Sequence, residues 1–248
     1  MLRAVTAIAI LSAALPAFAD DDRLELGASL VRGSRLRAGE VEVSGPAFGA
    51  RYGLTDDTTV GADAWPLLGF AGGGAGIALA LDRHGDLGGR WHWDIGATGA
   101  YFDYHPNSLG LQLRGLAAHA NLEWRTRRNA LGLAAIAGGM TVRQFSDSRV
   151  PGAYAGIHVE GAGVVGSYAA SPWRWLAIEL LLGELPYVAV ATDGTAGMDI
   201  PDIPSNPLYH LVTGLHIHVR AGHWRTSLGA TVTTFALPVP SLTIARKW

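Results

Sequence analysis

Apolar and polar residues alternate with a period of two along much of this chain, the spacing of a strand whose two faces meet different surroundings. The clearest run sets Trp91, Trp93, Ile95, Ala97, Gly99 and Tyr101 against His92, Asp94, Gly96, Thr98 and Ala100. A second sets Tyr209, Leu211, Thr213, Leu215, Ile217 and Val219 against His210, Val212, Gly214, His216, His218 and Arg220. After Ala221-Gly222-His223 a third sets Trp224, Thr226, Leu228, Ala230, Val232 and Thr234 against Arg225, Ser227, Gly229, Thr231 and Thr233. Two such runs joined by so short a link predict a hairpin.

Reading every alternating run in this way predicts about twelve strands, beginning near residues 23, 40, 58, 76, 90, 110, 129, 154, 173, 207, 223 and 240. Two stretches leave ten strands possible. The Arg114 to Leu131 region also carries a helical stripe of Leu116, Ala117, Ala120, Trp124 and Leu131. The stretch from Trp175 to Val190 accommodates Glu179 and Glu184 only if Gly183 or Pro186 marks a bulge.

The step from Trp91 to Tyr101 gives the alternation a scale. At about 3.3 Å per residue and a tilt near 40° it covers about 25 Å along a bilayer normal, the height of the lipid-facing band of a membrane barrel. Aromatics at both ends of the step fit the rims of that band, and Trp91, Trp93, Tyr101, Tyr209 and Trp224 are the predicted girdle. The fold class expected is all-β: a closed antiparallel up-and-down transmembrane barrel, with Leu215, Ile217 and Leu228 facing lipid. The predicted short links, Thr55-Asp56-Asp57-Thr58, Arg125 to Asn129, Ala170-Ser171-Pro172 and Ala221-Gly222, all fall at one end of this barrel. The longest, about residues 192–206, falls at the other.

Composition narrows the setting. Met1-Leu2-Arg3, the apolar run Ala4 to Leu15, and Ala17-Phe18-Ala19 ahead of Asp20 read as a signal peptide cleaved after Ala19, leaving residues 20–248 as one barrel domain. Charged residues make up 16 % of the chain and mean hydropathy is +0.20, yet no later segment reads as a spanning helix. An apolar exported chain can satisfy its backbone in lipid by closing a barrel. There is no cysteine, which excludes disulfides and thiolate chemistry, and a net charge of −2 offers no field for nucleic acid.

Arg51-Tyr52-Gly53-Leu54-Thr55-Asp56-Asp57-Thr58-Thr59-Val60-Gly61-Ala62 resembles the strand-turn-strand phrase of many Gram-negative outer-membrane β-barrels. The terminal Trp248, preceded at two-residue steps by Arg246, Ile244 and Leu242, resembles the signal that such barrels present to their assembly machinery; Arg246 departs from the usual apolar residue. The resemblance covers about twenty residues. It implies residence in outer-membrane lipid and contact with that machinery, and it names no subfamily.

The predicted inner face supplies the candidate chemistry. Lumen-lining candidates are His92, Asp94, Arg114, His158, Glu160, His210, His216, His218, Arg220 and Arg225, with Asp63 and Asp82 among the inward acids. Their mixed signs suit either an ion-paired, closed lumen or a narrow aqueous path. His216 and His218, at i and i+2, could chelate a metal, but nothing in the spacing brings further ligands to them, and no metal or other cofactor is expected. Ser227 with His223 and Asp103 with His105 are adjacent pairs without a catalytic motif. Gly72-Gly73-Gly74-Ala75-Gly76 lacks the Lys-Ser/Thr end of a phosphate loop. The expectation is a barrel acting as a narrow passive pore for small polar solutes or as a structural or docking component of the envelope. The alternatives are a lipid-modifying hydrolase of the outer membrane and a soluble periplasmic β-sandwich.

Overall fold

The computed structural model describes residues 24, 26, 28, 29, 31–45, 49–64, 74–104, 109–146, 154–194, 210–221, 224–233 and 238–246. The expected signal peptide, Tyr209, His105, His223 and Trp248 lie outside the described residues. Twelve strands occur among those described: β1 (Val41–Gly45), β2 (Gly49–Thr55), β3 (Thr58–Ala64), β4 (Gly74–Gly88), β5 (Trp91–Tyr104), β6 (Leu109–Arg125), β7 (Asn129–Ser146), β8 (Tyr154–Trp173), β9 (Leu176–Gly194), β10 (Leu211–Ala221), β11 (Trp224–Thr233) and β12 (Pro238–Arg246). All pair antiparallel with their neighbours in sequence, and β1 also pairs with β12, from Val41↔Arg246 to Gly45↔Leu242.

These are not the twelve runs read from the sequence. The run expected from residue 23 is not a wall strand, and the run expected near residue 40 is two strands, β1 and β2. The helical stripe of Arg114 to Leu131 lies on β6, a short turn and the start of β7, where a ladder of seventeen pairs from Leu109↔Ser146 to Arg125↔Ala130 takes up the backbone groups that a helix would have used. Ala170-Ser171-Pro172 is not a turn but an irregularity within β8; the turn follows Trp173. The bulge anticipated in β9 is present: Glu184 faces Val164 and Tyr187 faces Ala162, so Leu185 and Pro186 together oppose Gly163. Proline has no N–H to donate, and an unpaired bulge position does not require one.

The short links lie together at one end. The resembling phrase is the β2–β3 hairpin around Asp56-Asp57, and the β4–β5 turn uses Gly88 (φ 98°) and Gly89 (φ 59°), a conformation that a side chain would strain. At the opposite end β6 to β9 extend 17 to 20 residues. They are the longest among the described strands and extend furthest on the loop side.

Burial separates the two faces. Leu79, Leu81, Trp91, Ile95, Leu116, Leu122, Leu133, Ile178, Leu180, Leu215, Ile217 and Leu228 are exposed on the convex face, whereas Asp94, Glu123, Glu179, His216 and His218 are buried on the concave one. A soluble fold would place these the other way round. The strands lie in one curled sheet and not in two packed layers, which corrects the sandwich alternative.

Candidate functional site: a segment inserted against the concave face

Leu24, Leu26 and residues 31–40 lie inside the curve of the sheet. Near the short-turn end Leu24 and Leu26 pack with Ala130, Ala169 and Ala177, and Leu24 N–H donates to the Thr126 carbonyl at 2.7 Å. Further in, Val31 joins Ala134, Val165, Leu181 and Val212, all buried. The chain then returns: Ala38 N–H reaches Asp56 Oδ1 at 3.2 Å, Gly39 N–H donates to the Gly53 carbonyl at 2.9 Å, and Gly53 N–H donates to the Glu40 carbonyl at 3.0 Å. The approach is close enough that a Cβ at Gly53 would stand 1.9 Å from the Arg37 carbonyl oxygen.

Charge fastens this segment. Arg32 Nη2 donates to Glu123 Oε1 of β6 at 2.5 Å and to Glu179 Oε1 of β9 at 2.7 Å, with all three side chains 0 % exposed. Arg35 pairs with Asp94 of β5 and reaches Glu123 Oε2 at 3.5 Å. Gly33 N–H donates to Asp94 Oδ1 at 3.2 Å and Leu36 N–H to Thr59 Oγ1 at 3.2 Å, while Ser34 bonds Glu42. Arg125 Nε donates to Glu123 Oε2 at 2.5 Å. His119 Nε2 lies 3.0 Å from Asp94 Oδ1, and Asn121 Nδ2 donates to Asp94 Oδ2 at 3.1 Å. Carboxylates taken from water on several strands are thus answered by arginines from one inserted segment, the arrangement that buried charge requires.

Of the lumen-lining candidates, His92, Asp94, His216 and His218 are buried on the concave face. His92 pairs with Asp86, and Arg225, on the same face, reaches Glu40 Oε2 at 3.4 Å. Arg220 lies directly opposite Arg225 near the turn end and is exposed. His210 meets the Leu185 carbonyl at the β9 bulge through Nδ1 at 3.0 Å. Three candidates are placed on the wrong face by the sequence reading. Register pairs Arg114 with Tyr101 and with Thr141, and Thr141 with His158, so Arg114, His158 and, two residues on, Glu160 share the convex face of Tyr101. These three lie towards the loop-side ends of the long strands β6 and β8. Period two carries no information about where along a strand the surroundings change.

Residues absent from the candidates hold the centre: Arg32, Arg35, Glu42, Glu123 and Glu179. Glu179 carried a signal, since its charge interrupts an apolar stretch. Arg32 and Arg35 carry no such signal, because a segment inside the wall alternates like a strand of the wall. His216 and His218 stack at 6.3 Å. His216 Nε2 is 3.2 Å from Thr231 Oγ1, and His218 bonds Ser227 through Nδ1 and meets Glu179 Oε2 through Nε2 at 3.1 Å. Among the described residues no group of three or more His, Cys, Asp or Glu has metal-holding geometry. The Ser227–His218–Glu179 chain has the residue types of a nucleophilic relay, but the other oxygen of Glu179 is held by Arg32, and Ser227 is 3 % exposed, so its Oγ offers no approach to a carbonyl carbon.

The predicted girdle is exposed at Trp91, Tyr101 and Trp224, while Trp93 is half-buried. Trp173 and Trp175, stacked at 5.7 Å, add to the short-turn rim. Leu242 and Ile244 share the convex face with Leu228 and Val43 through their register partners.

No known family model matches the chain, and no curated protein matches it. Among solved structures, the translocator domain of autotransporter NalP from Neisseria meningitidis is similar over 84 % of this chain and 86 % of that one, at 11 % identity and a TM-score of 0.35.

Proposed function

We propose that residues 20–248, after export and cleavage at Ala19, form a closed twelve-stranded β-barrel of a Gram-negative outer membrane whose lumen is sealed by its own N-terminal segment. In this reading the protein is a structural or docking component of the envelope and not a passive pore. The short turns and both termini face the periplasm, and the long strands β6 to β9 raise a polar-faced rim above the outer leaflet. Barrel assembly involves the outer-membrane machinery acting on the C-terminal strand, with Leu242, Ile244 and Trp248 as its signal.

The observation that carries the reading is Arg32, which joins Glu123 of β6 to Glu179 of β9 with no side-chain exposure. A guanidinium that ties two strands together across the concave face occupies the space through which a solute would pass. The membrane assignment rests on the exposed leucines, isoleucines and tryptophans of the convex face, an apolar surface too extensive to be left to water.

Planar-bilayer recording tests the proposal. The purified protein is expected to give no steady conductance, and removal of residues 24–36 from a refolded barrel is expected to give a defined one. Steady conductance of the parent would overturn the sealed barrel in favour of the pore. A parent that is soluble without detergent and shows no heat-dependent shift in gel mobility would overturn the barrel itself.

A further inference from the structure

At the short-turn end two neighbouring links are tied into one unit. The β6–β7 link reads Arg125-Thr126-Arg127-Arg128-Asn129, and the end of β8 with its turn reads Ser171-Pro172-Trp173-Arg174-Trp175. Thr126 shapes the first: its Oγ1 donates to the Asn129 carbonyl at 3.1 Å and accepts from the N–H groups of Arg128 and Asn129 at 3.4 and 3.0 Å. Ser171 joins the second to it. Its N–H donates to the Arg128 carbonyl at 2.7 Å, and its Oγ lies 2.6 Å from the Trp173 carbonyl and 3.0 Å from that of Leu176. Between the two links is a cleft of about 90 Å³ lined by Arg127, Arg128, Ser171, Pro172, Trp173 and Arg174.

The cleft is cationic without compensation from its own links. Arg128 and Arg174 are exposed and make no ion pair among the described residues. Neither link contains an acid, and Glu123, the nearest along the chain, is buried between Arg32 and Arg125 on the concave side. Arg220, exposed on the next hairpin, extends the same positive edge. Guanidinium groups gathered in this way repel one another, and an anion between them relieves the repulsion. The depth of the cleft is marked by aromatics. Tyr168, on the convex face with its register partners Leu131 and Leu180, donates its hydroxyl to Asn129 Oδ1 at 3.1 Å. Trp173 and Trp175 are exposed beside it. In the proposed barrel the cleft therefore lies just beyond the aromatic band on the periplasmic side, level with the headgroups of a phospholipid leaflet.

We propose that this cleft seats the phosphate of one anionic phospholipid of the periplasmic leaflet, held by Arg127, Arg128 and Arg174, with the acyl chains outside the cleft along the exposed Ile178 and Leu180 of β9. The proposal rests on the membrane-barrel reading. Arginine presents paired donors that match phosphate, and clustered basic residues at a membrane surface select anionic headgroups. A zwitterionic headgroup would bring an ammonium to a cleft that has no carboxylate to receive it. The apolar wall beside the cleft favours a phosphate that carries acyl chains over a free one. No covalent step is involved.

Native mass spectrometry of the detergent-purified, delipidated barrel with equal amounts of phosphatidylglycerol and phosphatidylethanolamine tests this. One phosphatidylglycerol should be retained per protein, about fivefold or more over phosphatidylethanolamine. Each basic residue near such a headgroup contributes about fivefold to its binding, so Arg128→Gln/Arg174→Gln should lower retention about twenty-five-fold. Arg83→Gln, which removes an exposed arginine paired with Asp57 beside the β2–β3 turn, should leave retention unchanged. Equal retention of the two lipids, unchanged retention in the double variant, or an equal loss in Arg83→Gln would overturn the site. Millimolar inorganic phosphate should not displace the lipid; displacement would show a site for free anions and overturn the lipid assignment. Each protein is also run unheated and boiled in gels. A heat-shifted parent without lipid preference defeats only this proposal, whereas a parent with no heat shift defeats the barrel reading beneath it.

Discussion

Arg32 stands 2.7 Å from Glu179 although 147 residues separate them in the chain, and both side chains are fully buried. The pair joins an inserted N-terminal segment to the ninth strand, and Glu123 at 2.5 Å joins the same guanidinium to the sixth. Removing Arg32 leaves two carboxylates short of a partner, with Arg125, Arg35 and His218 as their remaining neighbours. Arg32→Met is therefore expected to cost about 3 to 5 kcal/mol, read as a lower urea midpoint for the refolded barrel. An unchanged midpoint would show that the segment is not inserted in solution.

The inserted segment is also held by packing. Val31 is 0 % exposed among Ala134, Val165, Leu181 and Val212, so Val31→Asp would bury an unpaired carboxylate. Expulsion of the segment is the cheaper outcome, since a buried unpaired charge is far costlier than an exposed one. Added protease should then cleave the variant between residues 24 and 40 while the barrel core resists, and its bilayer conductance should rise above that of the parent. Equal protection of both proteins would count against insertion.

Depth on the convex face sets the cost of charge. Arginine at Leu215 or Leu228, exposed and, in the proposed membrane barrel, within the lipid band, should cost about 2 to 4 kcal/mol, whereas charge near the rim costs about 0 to 1. Arg114→Leu should consequently leave stability within about 1 kcal/mol of the parent. Refolding titrations in lipid vesicles measure both, and equal effects at the two depths would reject the placement of Arg114 at a rim.

At the β2–β3 turn, the Asp57 carboxyl is lowered to about 2 by hydrogen bonds from Thr55, Thr58 and Arg83, the last two at 2.9 and 3.1 Å. Its folded value lies below the usual value of 3.8, so the turn is favoured above pH 4, and that contribution fades as pH falls towards 2. Amide exchange at residues 55–58 should accelerate across that window in the parent, and in Asp57→Asn it should be faster at neutral pH and flat with pH. A parent with no acceleration between pH 4 and 2 would reject the bonded turn.

Much of the wall was legible in the sequence because a strand's side chains alternate whatever the strand pairs with. Trp91 to Tyr101 and Leu215 to Val219 therefore showed their faces directly, and the resembling phrase around Asp56-Asp57 marked a real hairpin. His92, Asp94, His216 and His218 were placed on the inner face by the same argument. The alternation could not tell a wall strand from a segment lying inside the wall. Residues 24–40 are apolar and charged by turns like their neighbours, and what distinguishes them is that their partners, Glu123 and Glu179, come from strands far along the chain. Nor could it tell a polar stretch on the inner face from one on the outer face near a strand's end, which is why Arg114, His158 and Glu160 lie on the other side. Local pattern determined which residues share a face. Which face is inside, at what height the surroundings change, and which charges meet were decided only by the curling of the sheet, because burial and pairing are properties of contacts between residues that the sequence keeps apart.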